Sequence, residues 1–146
     1  MEAAKTNNTV LEDSKVNIRI KLAGLWASVM SCYIYGDYFS LYVPGKAQGF
    51  LNGDNLLNSP VKLFAASVLM AIAALMIFLS LVLKPAASRC LNIIFGVFYS
   101  AIMLLIAVTT LASWWSFYVF LAVVEVIITA LITRYAWNWP KQSLST

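Results

Sequence analysis

Two carboxylates stand deep inside long apolar segments of the chain, Asp37 and Glu125. A charge near the centre of a bilayer costs about 2.5–3.5 kcal/mol on insertion scales, so such a residue faces protein or water and marks a candidate site. Glu125 lies about 11 residues into its segment, roughly 16 Å at 1.5 Å per residue, and Asp37 about six residues from the end of its own, roughly 9 Å. Both fall in the same half of the membrane and can serve one cavity. Helical spacing names their neighbours. Trp26, Met30 and Tyr33 share the face of Asp37 going inward, with Ser40 and Leu41 going outward; Glu125 shares its face with Tyr118, Ala122, Thr129 and Ile132. Asn92, Gly96, Tyr99 and Met103 form a third stripe, with Ser100 beside it. The candidate ligand-binding set is therefore Asp37, Glu125, Tyr33, Trp26, Tyr99, Tyr118 and Thr129. Hydroxyls beside carboxylates either satisfy a structural hydrogen-bond network or line a polar pocket in an apolar wall. Arg134, nine residues beyond Glu125 and on the opposite face, is read as snorkelling to the surface.

Composition excludes much other chemistry. The 146-residue chain has no histidine, which removes the commonest metal ligand and the usual general base near neutral pH. Two cysteines, Cys32 and Cys90, fall at different depths and are expected as free thiols. No metal and no cofactor is expected. Asn52-Gly53-Asp54-Asn55 looks like part of a calcium loop, but the alternating oxygen ligands and terminal Glu of an EF-hand are missing. The net charge of +4 comes from basic residues at the ends of apolar segments, where anionic headgroups attract them. Neither a basic stripe nor an interleaved aromatic platform is present, so nucleic acid is not expected as a partner.

The elements that must position the carboxylates are membrane spans. Only 11 % of residues are charged, against roughly 25 % in soluble domains, and 62 % are apolar. The fold class expected is all-α, an integral membrane four-helix transmembrane bundle over residues 18–140. Its spans lie at about 22–43, 61–83, 89–111 and 114–139, each exceeding the roughly 20 residues a crossing needs. A polar tail precedes the bundle (residues 1–17) and a short one follows it (residues 141–146). Ser59-Pro60 is a favourable start for the second span, and Lys84-Pro85 stops it. Its small residues Ala66, Ala73 and Ser80 recur every seven positions, which marks it as the expected packing centre. Only Ala112 and Ser113 separate the last two spans, so a tight antiparallel hairpin is expected.

Basic residues give an orientation. Lys5, Lys15, Arg19, Lys21, Lys84, Arg89, Arg134 and Lys141 fall on one side and only Lys46 and Lys62 on the other, eight against two. By the positive-inside rule both termini are cytoplasmic. Trp114 with Trp115, and Trp137 with Trp139, mark the two interfaces. The long outer loop at 44–59 mixes glycines with Phe50, Leu51, Leu56 and Leu57. Its simpler reading is an interfacial connector, and the sharper one a lid over a pocket.

Several stretches carry a resemblance: Tyr33 to Gly45, Asn92 to Gly96, Trp114-Trp115, Val124 to Ile128 and Tyr135 to Pro140. Together they resemble a family of small bacterial four-span membrane proteins of unknown function. That resemblance implies the topology and a bacterial inner-membrane location, and no activity. The residues themselves point first to a small apolar or lipid-like molecule bound in an intrabundle pocket beside the buried acids. Two alternatives stay open: a proton-coupled small transporter, and a non-catalytic membrane interaction subunit, with a homodimer as one form of it. Whether the chain is an enzyme is left undecided.

Overall fold

The computed structural model describes residues 15–140; of the tails expected at 1–17 and 141–146, all but residues 15–17 lie outside those residues. Four long helices and one short one form the fold: α1 Ile18–Ser40, α2 Lys46–Leu51, α3 Pro60–Val82, α4 Pro85–Thr109 and α5 Ser116–Trp137, the last preceded by a single 3-10 turn at Ser113–Trp115. Among the described residues no strand is present.

Local chemistry sets the boundaries. Asn17 caps α1, its side chain accepting from the Arg19 amide at 2.9 Å. Ser59 caps α3 by accepting from the Lys62 amide at 3.3 Å, with Pro60 in the first turn as expected. Pro85 does more than stop α3. It opens α4 directly, because its missing N–H is one of the donors a helix start leaves free anyway. The α3–α4 connection therefore shrinks to Leu83 and Lys84. Gly45, at φ +79°, supplies the left-handed turn between α1 and α2 that other residues avoid.

Three helices, α3, α4 and the stretch from Ser113 to Trp137, are long and apolar enough to cross a membrane. Four spans were expected, and among the described residues α1 does not reach that apolarity. α1 matches α3 in length, 23 residues each, but carries Asp37, Trp26, three tyrosines and several serines. Outward faces of the apolar helices are greasy throughout, with Phe64, Phe78, Leu104, Leu105 and Phe120 all more than half exposed.

The helices pack as a ring in the order α1, α3, α4, α5, so α1 and α4 stand on a diagonal. α4 and α5 make the most extensive pair, the hairpin the sequence predicts. Gly96 makes it possible, since a Cβ there would fall 2.5 Å from the Thr133 hydroxyl and 3.3 Å from the Thr129 carbonyl. The expected packing centre is wrong. Ala73 and Ser80 of α3 do face inward, yet Met76 is its only other buried residue. α1 instead buries a heptad stripe, Leu22, Trp26, Val29, Tyr33, Gly36 and Ser40. Small residues make α3 fit its neighbours, whereas α1 carries the volume that fills the diagonal.

Two ends of the bundle can be distinguished. The terminal end holds the start of α1, the end of α5 and the α3–α4 turn; the loop end holds α2 and the α4–α5 connection. Basic residues at the terminal end cap helices there: Arg19 donates to the Leu81 carbonyl at 3.0 Å and Arg89 to the Trp137 carbonyl at 3.4 Å.

Candidate functional site

Nearer the terminal end, four interior side chains are fully paired with one another, and the buried atom left without a partner there is Arg89 Nε. Trp26 donates from Nε1 to Asn92 Oδ1 at 2.8 Å, while Asn92 Nδ2 donates to the Ser88 carbonyl at 2.8 Å and to the Ser80 hydroxyl at 3.2 Å. Trp26, Ser80, Ser88 and Asn92 are completely buried, and the knot ties α1, α3 and α4 together. Above it the Tyr99 hydroxyl donates to the Leu69 carbonyl of α3. The Tyr99 ring meets Trp26 edge-on at 5.5 Å and Tyr33 at 6.2 Å. Thr129 spends its single proton on the Glu125 carbonyl at 2.7 Å, which makes Ser100 the donor in the 2.7 Å Ser100–Thr129 bond. Trp26, Tyr99 and Thr129 thus have structural partners that account for them.

Glu125 and Tyr33 do not. Glu125 is only 3 % exposed and its Oε2 has no hydrogen-bond partner; the Tyr33 hydroxyl is likewise buried and unpartnered. Buried polar atoms without partners are uncommon, and each calls for a physical reason. Both residues line one small, narrow space with Cys32, Gly36, Met103 and Tyr118. Its volume is about 10 Å³. That is the scale of a single water and excludes an organic ligand from this spot.

A larger space opens at the loop end. It measures about 500 Å³ and is lined by Asp37 and Ser40 of α1, Lys46 and Phe50 of α2, and Asn55, Leu56 and Leu57 of the following loop. Ile106 and Thr109 of α4, and Thr110 just beyond it, complete the lining with Trp115 and Tyr118. The greasy loop therefore forms a wall of this cavity. Lys46 places its ammonium 5.2 Å from the Trp115 ring centre and 5.4 Å from that of Phe50, which anchors α2 over the bundle. Asp37 is exposed, because Gly36 takes the inward position next to Tyr33 and turns the carboxylate toward the cavity. Lys46 lies within electrostatic reach of that carboxylate.

The acids consequently occupy adjoining spaces rather than one. Asp37 borders the large cavity and Glu125 the small one, and Tyr118 borders both. Lys46, Trp115 and Thr110 were absent from the set chosen on spacing. Helical periodicity cannot reach them, since they lie in connections. A lone lysine in an apolar loop, facing a tryptophan belt across the same interface, was the signal available.

Among known proteins, the model of a family of unknown function, DUF6326, matches residues 11–146. The chain belongs to that family. Neither a curated protein nor a solved structure matches it.

Proposed function

We propose that this DUF6326 chain is a four-span protein of a bacterial inner membrane that binds a small amphipathic molecule in its loop-end cavity, with both termini cytoplasmic. The observation that carries the reading is the cavity's chemistry. Its volume, about 500 Å³, lies within the roughly 300–1,000 Å³ of small-molecule sites. Aromatic and aliphatic side chains make most of the wall, and one carboxylate and one ammonium, Asp37 and Lys46, supply its charge. Such a wall suits a molecule with an apolar body and a head bearing groups of both signs. Phe50, Leu56 and Leu57 would contact the body from above.

α1 is the fourth span in this reading despite its lower apolarity. Its lipid-side serines are satisfied within the helix, Ser28 on the Gly24 carbonyl at 3.1 Å and Ser31 on the Ala27 carbonyl at 3.0 Å, so they present little unpaired polarity to lipid. Its tryptophan and Tyr33 point into the bundle. The eight-to-two distribution of basic residues supports the orientation, which makes the cavity face outward.

Native mass spectrometry from a mild detergent, followed by lipid extraction, tests the binding. A co-purifying amphiphile is expected on the wild-type protein and is expected to be lost from Asp37→Asn and from Lys46→Gln. A wild-type protein that carries nothing, or the same cargo on both variants, counts against the proposal. The spectra also read the oligomeric state.

A further inference from the structure

The geometry points to Glu125 as a proton-holding carboxylic acid that shares one water with Tyr33 and exchanges its proton toward the loop end, past Tyr118. This does not rest on a ligand in the loop-end cavity. Three observations carry it.

First, Glu125 is buried near mid-depth with Oε2 unpartnered, and the Tyr33 hydroxyl is buried and unpartnered in the same narrow space. That space, about 10 Å³, is the scale of one water, and such a water needs two or more polar partners. Two are available. A water between them would satisfy both orphaned oxygens.

Second, among the described residues no cation balances the carboxylate. The titratable groups in electrostatic reach of it are Cys32, Tyr33 and Asp37 from α1 and Tyr118 from α5 itself; Tyr99 of α4 stands behind Tyr33. Each is neutral or negative. An unpaired buried carboxylate in an apolar medium resolves its cost by taking up a proton.

Third, the routes away from the site are unequal. Toward the loop end a single side chain, Tyr118, forms a wall common to the narrow space and to the open cavity. Toward the terminal end stand Tyr99, Ile132, Trp26 and Asn92, all completely buried and close-packed, with every polar atom of the knot engaged. A proton therefore enters and leaves on one side. The arrangement is a proton store open to one face, which distinguishes it from a pathway across the membrane.

The test needs no identified ligand. Dicyclohexylcarbodiimide adds to protonated carboxyl groups in apolar surroundings, and peptide mass mapping of the treated wild-type protein in detergent locates the adduct. Labelling at Glu125 is expected at neutral pH and is expected to fall severalfold as the pH is raised. Infrared spectroscopy supplies a second readout. The carboxylic-acid carbonyl band should be missing from Glu125→Gln and shifted in frequency, not lost, in Tyr33→Phe. Its deuterium exchange should quicken severalfold in Tyr118→Ala and stay unchanged in Ile132→Ala, which makes room on the other side. An unlabelled Glu125 with no such band at neutral pH overturns the protonated state. A band unmoved by Tyr33→Phe overturns the shared water, and faster exchange in Ile132→Ala alone overturns the direction of access.

Discussion

Two polar clusters sit inside the same bundle, and they differ in one respect. The knot of Trp26, Ser80, Ser88 and Asn92 near the terminal end has its side-chain donors and acceptors paired within the protein. About Glu125, toward the loop end, two oxygens have none. Where water is scarce an unpaired polar group is costly, so a satisfied cluster reads as structure and an unsatisfied one as function. Polarity alone does not separate the two. Both contain polar residues set in an apolar interior, and the partner count tells their roles apart.

That contrast can be broken by mutation. The largest effect is expected from Trp26→Ala, which empties the bundle diagonal and removes a donor from Asn92; a loss of about 3–5 kcal/mol follows from the size of the truncation. Unfolding in mixed micelles with an increasing share of SDS measures it, and a loss no greater than that of the lipid-side Phe78→Ala would remove the special place given to α1. Gly96→Ala should come next, at about 1–3 kcal/mol, because the new Cβ meets Thr133 and the Thr129 carbonyl. Adding Thr133→Ala should recover part of that loss by clearing the nearer contact, whereas Gly24→Ala, with open space around it, should cost nothing measurable.

Asn92→Leu strips the knot of its centre. Interhelical hydrogen bonds in membranes contribute modestly, so about 0.6–1.7 kcal/mol is expected for the bond to Trp26, again by SDS titration. Glu125→Gln comes last among the interior substitutions, within about 0.5 kcal/mol of the wild type, since Oε2 has no partner within the protein to lose and an amide can hold the same water. A strongly destabilised Glu125→Gln would mean that the carboxyl group is paired after all, and the division between the two clusters would fail.

The inward faces of α4 and α5 were legible from spacing. Asn92, Gly96, Tyr99 and Met103 are all buried, as are Ala122, Glu125, Thr129 and Ile132. The free state of Cys32 and Cys90 and the tight α4–α5 hairpin were legible too. Asp37 was misassigned by one position. The stripe on α1 steps through Tyr33, Gly36 and Ser40, and the missing side chain at Gly36 hides that periodicity in the sequence. α3 was misjudged for a different reason. High apolarity measures affinity for lipid, so the most apolar helix is the one that needs the fewest protein neighbours. α1, the least apolar of the four long helices, has more polar groups to shelter and is drawn further into the bundle.

By itself the sequence determined the helical class, the apolar stretches, the inward stripes of α4 and α5 and the presence of two acids within apolar stretches, because these depend on composition and on the 3.6-residue period alone. Tertiary structure decided which polar groups find partners. It paired Trp26 with Asn92 across 66 positions of chain, left Glu125 and Tyr33 lining one small space with an unpartnered oxygen each, and brought Lys46 and Trp115 to one cavity with Asp37. Pairing depends on which helices stand opposite one another, and a periodicity within one helix carries no information about its neighbour.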